Sequence, residues 1–163
     1  MTRFSKTSVR QLIKVAFVLA AVPILFPSTA SSQRRSAAAP AEEDPVFREY
    51  RGVQIGMTAE EARKKLGSPK DKGDEQDFYV FGDRETAQIV YDKLHKVFVL
   101  SVDFQSGANG VPTPRTVLGS DLEAKPDGSM YKMIRYKKAG YWVSYNRTAG
   151  DSPLISITIQ RID

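Results

Sequence analysis

The amino-acid sequence predicts an α+β protein built on an antiparallel sheet of about six strands, with helices packed on one face. Three observations lead there. The stretch from Arg51 to Pro69 carries turn, cap, helix and stop signals in order. Two groups of three strand-like runs follow, separated by a Gly/Pro-rich loop. The second group echoes the first at offsets of 52 to 55 residues, the mark of a degenerate tandem repeat of helix plus three strands.

At the N-terminus, Arg3, Lys6, Arg10 and Lys14 precede the apolar run Val15 to Phe26, and Ser28-Thr29-Ala30 offers small residues for cleavage. This is the order of a secretory signal. The run is twelve residues long and contains Pro23, whereas a membrane-spanning helix needs about 20 apolar residues. Residues 1–30 are therefore expected to be a signal peptide, with an uncleaved N-terminal anchor as the alternative. The Ser/Arg/Ala/Pro tract 31–45 reads as a flexible linker, and 46–163 as a single α+β domain of ordinary size.

Export changes the meaning of the charge. Four of the 24 basic residues lie before Ala30 and none of the 19 acidic ones does, which leaves 20 against 19, a net of +1. That balance removes the composition argument for nucleic-acid binding. The chain has no cysteine, so no disulfide framework, thiol nucleophile or lipid-modified cysteine is expected. The predicted location is periplasmic or secreted, without a lipid anchor.

Phe47 and Tyr50 are the first large apolar residues after the linker, and the sequence leaves them in either a short helix or a strand. Gly56 permits the turn that ends Val53 to Ile55. Thr58 stands at a helix N-cap position with Glu61 three residues on, the spacing of a capping box. Glu60 and Glu61 face the positive helix end, and Arg63, Lys64 and Lys65 the negative one. Gly67 stops the helix and Pro69 prevents its resumption. Ala59, Ala62 and Leu66 form an apolar line that needs a sheet to pack against.

Asp71 to Asp77 reads as a solvated, acidic connector, and its spacing lacks the pattern of a calcium-binding loop. Strands are expected at Phe78 to Phe81, Ala87 to Asp92 and Val97 to Phe104, with turns at Gly82-Asp83 and Asp92 to Lys96. In the third, Phe98, Leu100, Val102 and Phe104 alternate with Val99, Ser101 and Asp103, the period of a sheet with one covered face. The loop from Gln105 to Arg115 holds Gly107, Gly110, Pro112 and Pro114, which exclude regular structure.

Beyond it, Leu118-Gly119-Ser120 echoes Leu66-Gly67-Ser68, and Tyr131 to Tyr136, Tyr141 to Arg147 and Leu154 to Arg161 form a second set of strands. Repeat one is 51–105 and repeat two 115–161. Burial of an Ile, Leu, Val or Phe contributes about 1.5–3 kcal/mol, against about 1–2 kcal/mol of backbone entropy per ordered residue. A three-stranded unit alone does not win that contest, so both units should share one sheet.

The motif VQIGMTAEEARKKLGSP resembles the opening of the SmpA/OmlA (BamE) family of small outer-membrane assembly proteins, within the wider β-lactamase-inhibitor-protein-like fold. The motif covers about the first third of the domain. The resemblance implies an α+β envelope protein that binds other proteins, with outer-membrane assembly or maintenance as its setting and no enzyme chemistry or cofactor. Family members carry a lipidated cysteine and usually one copy of the unit. This chain has no cysteine, so anchoring does not carry over, and it reads as two copies, a departure from the unit to which the family's specific assembly role belongs.

No nucleophile, base and orienter grouping emerges from the spacing, so the chain is expected not to be an enzyme, with no catalytic, cofactor or metal residues. His95, the sole histidine, falls in a turn, and Asp74 and Asp77 fall in the charged connector. The strand Tyr141 to Arg147 is more informative. If helices cover Tyr141, Val143 and Tyr145, then Trp142 is exposed beside Arg135, Lys137, Lys138 and Arg147, a mixture that suits an envelope protein partner. The alternative is that Trp142 fills the core, the commoner fate of large aromatics, and the cations solubilise the hairpin. The Lys132 to Lys138 cluster also suits weak contact with anionic lipid. The competing functional reading is an envelope hydrolase or small-ligand-binding protein whose site the spacing does not reveal.

Overall fold

The structure, a computed structural model, describes residues 44–162. The expected signal peptide, and the expected linker as far as residue 43, lie outside them. The described chain is an α+β fold: α1 (Ala59–Leu66), β1 (Asp71–Lys72), β2 (Gln76–Val80), β3 (Glu85–Tyr91), β4 (Val97–Phe104), α2 (Pro114–Leu118), β5 (Met130–Tyr136), β6 (Tyr141–Arg147) and β7 (Ile155–Arg161). The strands form one antiparallel sheet in the order β1-β2-β3-β4-β7-β6-β5.

Residues 44–58 form neither helix nor strand. Tyr50 and Val53 exchange backbone hydrogen bonds of 3.0 and 2.9 Å across Arg51 and Gly52, both at positive φ, a tight reversal that buries both flanking side chains. The chain then runs against the β3–β4 turn, where Val97 N donates to Met57 O at 2.7 Å and Ala59 N donates to His95 O at 2.9 Å. These bonds aim α1. Thr58 Oγ1 accepts from Glu61 N at 3.2 Å and Glu61 Oε2 accepts from Thr58 N at 2.9 Å, the reciprocal cap that the spacing predicts. Gly67 ends the helix at φ 85 and ψ −158, a backbone conformation open essentially to glycine alone.

The sheet's covered face holds Tyr79, Ala87, Ile89, Tyr91, Leu100, Val102, Phe104, Ile157, Ile159, Val143, Tyr145 and Tyr136, all buried. Tyr50, Val53, Ala59 and Ala62 close one part of this core, and Val117 and Leu118 of α2 close the part over β6. The helices and the lead-in segment therefore lie on one face, as the apolar line of α1 requires.

Four expectations are corrected. The sheet has seven strands, because Asp71 and Lys72 pair with Phe78 and Asp77. The connector 71–77 is thus largely a hairpin, and Asp77 is fully buried in it. What allows this is Arg63 on α1, whose guanidinium both neutralises Asp77 and donates to Gly73 O at 2.9 Å. A Cβ at Gly73 would lie 2.7 Å from Gln76 O, so only glycine fits the turn.

In β4 the alternation breaks. Val90 pairs with Val99 but Tyr91 pairs with Val97, so Phe98 is the extra residue of a bulge. Val97 takes the core position at 0% exposure, and half-buried Phe98 lies under the Arg161 guanidinium at 4.9 Å. Finally, the proline-containing loop does not exclude a helix. Thr113 caps α2, and Pro114 occupies its first turn, where no backbone donor is needed. Strand limits also shift by up to two residues: β2 starts at Gln76 and ends at Val80, and β3 starts at Glu85.

Candidate protein-binding face

The uncovered side of the sheet is built from the alternate residues of each strand. One cross-strand row runs Gln76, Val90, Val99, Gln160, Trp142, Arg135, and the next runs Phe78, Gln88, Ser101, Thr158, Ser144, Met133. A third joins Val80 at one end to Tyr131 at the other through Asp103, Ser156 and Asn146. Short polar side chains fill the middle of the second and third rows. Ser101 Oγ and Thr158 Oγ1 share a hydrogen bond of 3.0 Å, and Ser156 Oγ donates to Asp103 Oδ1 at 2.5 Å. Large apolar side chains stand at the two ends: Phe78 and Val80 on β2, Tyr131 and Met133 on β5, all exposed.

In these two rows short side chains in the middle lie between larger ones at the ends, a trough in side-chain length, while the first row carries Val90, Val99, Gln160 and Trp142 across its middle. Such a shape offers apolar anchors around a floor able to hydrogen-bond, the combination found at protein interfaces.

Trp142 stands on this face, opposite in direction to Tyr141, Val143 and Tyr145, and is half-buried. Arg135 is its direct cross-strand neighbour on one side and Gln160 on the other. Lys137 and Lys138 are exposed in the turn that joins β5 to β6. Among the described residues, Arg135, Lys137 and Lys138 enter no ion pair.

Arg147 does not join this group. It pairs with Met130 and Ile155, faces the covered side, and donates through Nη1 to Gly128 O. The reason is parity, since Arg147 is an odd number of residues from Trp142 along one strand. Lys132 likewise faces the covered side, where its Nζ donates to Ser120 Oγ at 3.3 Å. The cationic run Lys132 to Lys138 is therefore divided between two faces.

No protein-family model, no curated protein and no solved structure matches the chain.

Behind the trough lies a polar cluster that sequence spacing missed. Asp77 accepts from Arg63 Nε at 2.8 Å, Arg63 Nη2 at 3.0 Å, Tyr91 OH at 2.7 Å, Tyr79 OH at 3.3 Å and Gly73 N at 3.2 Å. Burial pushes its carboxyl up, but the bonds from Arg63, Tyr91 and Gly73 outweigh burial and hold it below the usual carboxylate range. Burial, with the Asp77 charge beside it, pushes the Tyr79 phenol up to about 12, and the Tyr91 phenol is raised further by burial and its bond to Asp77. Every polar group here has a partner, and the cluster ties α1 to β2 and β3.

A second tie fixes the lead-in segment. Tyr50 OH donates to Glu85, Arg51 Nε donates to Tyr50 OH at 2.8 Å, and the Arg51 guanidinium sits 4.3 Å over the Phe81 ring. Phe81 in turn stacks on Tyr79 at 5.8 Å. His95 is exposed in its turn at φ 53, and its working contact is the backbone carbonyl that receives α1. Among the described residues, no three His, Asp or Glu side chains converge to hold a metal ion.

Proposed function

We propose that the chain is an exported, non-catalytic protein-binding module of the cell envelope, and that its partner docks on the uncovered sheet face. The observation that carries this reading is the position of Trp142, half-buried on that face beside exposed Arg135 and close to the turn of Lys137 and Lys138, which enter no ion pair among the described residues. An amphipathic aromatic with cations at its margin is the pattern of an interface anchor. Arg147 faces the covered side and lies outside this surface, whose ends are formed by Phe78, Val80, Tyr131 and Met133.

The likeness of VQIGMTAEEARKKLGSP to the SmpA/OmlA (BamE) opening supports an envelope setting, and an outer-membrane assembly or maintenance role is the form of the proposal that it favours. A tandem repeat is part of the same reading. Outward from the central β4–β7 pair the strands run β4-β3-β2 on one side and β7-β6-β5 on the other, third, second and first of each set. Both helices open with a reciprocal Thr cap, Thr58 with Glu61 and Thr113 with Thr116, at a common offset of 55. Two copies of one unit related about the β4–β7 seam account for both features.

Affinity capture from envelope extract tests the function. The protein should retain a partner that Trp142→Ala and the double charge reversal Lys137→Glu, Lys138→Glu each release. Retention by all variants removes this face, and turnover on a broad hydrolase substrate panel replaces the binding reading with an enzymatic one.

A further inference from the structure

The two edges of the sheet differ. On one side, the two-residue strand β1 covers β2. On the other, β5 presents seven residues, with an unbroken register to β6 on its inner side and no strand on its outer side among the described residues. Apart from β6, no described element makes a backbone hydrogen bond to residues 130–135. The strand has no proline and no bulge; of the devices that protect open edges it carries only charge, at Lys132 and Arg135.

The residues of β5 also complement themselves. In an antiparallel pairing of two copies about a two-fold axis perpendicular to the sheet, residues directly opposite share a face. Centring the axis on Met133 uses all seven residues of the strand. It sets Tyr131 opposite Arg135 of the second copy, Lys132 opposite Ile134, and Met130 opposite Tyr136. The cations meet a ring and aliphatic side chains. Moving the axis to Lys132 or to Arg135 would set like charges directly opposite, which is unfavourable, and would shorten the ladder. The same register carries the Lys137–Lys138 turn of one copy toward Asp127 of the other.

We propose that β5 is the seam of a symmetric dimer, in which two copies join edge to edge through Met130–Tyr136 with Met133 at the two-fold axis. The pairing flanks the exposed Tyr131 and Met133 with the same residues of the second copy, leaves them facing outward, and makes one continuous sheet with two trough faces on the same side. An acidic peptide is a poorer occupant of the edge, because Lys132 and Arg135 face opposite sides of the sheet and present no single cationic row.

The absence of cysteine makes the test direct. The protein is expressed from the full-length sequence, and single variants Met133→Cys and Phe78→Cys are compared under mild oxidation. These two positions are matched in exposure, 39% and 38%, on the same face. At the axis, opposed Cα atoms stand within disulfide reach, so Met133→Cys should yield about tenfold more covalent dimer than Phe78→Cys through its higher effective concentration. In sedimentation, the unmodified protein should pass from monomer to dimer with rising concentration. Met133→Asp and Met133→Lys should each stay monomeric, and their mixture should dimerise again. Equal cross-linking yields overturn the proposal, as does a monomer at every concentration. So does an edge that binds an acidic peptide without self-association. None of these readings involves the partner of the trough, so either proposal can fail without the other.

Discussion

Arg63 reaches from α1 to the buried carboxylate of Asp77 through two hydrogen bonds, 2.8 Å from Nε to Oδ2 and 3.0 Å from Nη2 to Oδ1. The Asp77 side chain is fully buried and that of Arg63 is 23% exposed. Removing one member of such a pair strands the other. Arg63→Ala should therefore destabilise the protein by about 3–5 kcal/mol, measured by urea unfolding. The double variant Arg63→Met, Asp77→Leu should recover only part of that loss: no buried charge remains, but the Tyr79 and Tyr91 hydroxyls and Gly73 N lose their acceptor. A single variant within about 0.5 kcal/mol of the parent would mean that the pair is a surface contact.

The same carboxyl sets a response to acid. Its folded value lies below its unfolded value of about 3.9, so its contribution to stability is complete above that pH and is lost as pH falls through the folded value. Stability should decline on acidification below about pH 4, and Asp77→Asn, already less stable at neutral pH, should show a shallower decline. Unfolding by denaturant at a series of pH values reads both slopes.

His95 holds a positive φ of 53 with its side chain exposed. An L-residue there is strained by about 1–2 kcal/mol, and glycine relieves this at some entropic cost. His95→Gly should leave thermal stability unchanged or raise it by up to about 1 kcal/mol, with partner capture unaffected. Loss of capture on this substitution would give the imidazole a role that the structure does not assign to it.

The fold was legible in the sequence wherever its causes are local. Thr58, Glu61 and Gly67 specify α1 through neighbours within one turn, and the structure shows the same cap and stop. The alternation of the strands likewise identifies most of the sheet. What escaped depends on residues far apart in the chain. Asp77 looks like a loop acid until Arg63, fourteen residues earlier, is brought against it. The bulge at Phe98 shows only in the pairing with Tyr91. Pro114 reads as a helix breaker until Thr113 is seen to cap α2.

The candidate face was half legible for a related reason. Around Trp142 both faces of β6 carry aromatic or apolar side chains, so periodicity separates them without saying which is covered. Val117 and Leu118 of α2 decide it by packing over β6. Once that side is fixed, parity assigns Arg135 to the trough and Arg147 to the opposite face. Phe78, Val80, Tyr131 and Met133 carry no distinguishing pattern in the sequence, and only the register aligns them at the two ends of one surface.

Trp142 is the single tryptophan of the chain, so its emission reports the proposed face alone. Titration of the protein with a captured, tryptophan-free partner fragment should shift that emission to shorter wavelength, saturating with the affinity found by calorimetry. Binding that saturates in the calorimeter while the Trp142 emission stays unchanged would place the partner elsewhere and contradict the account.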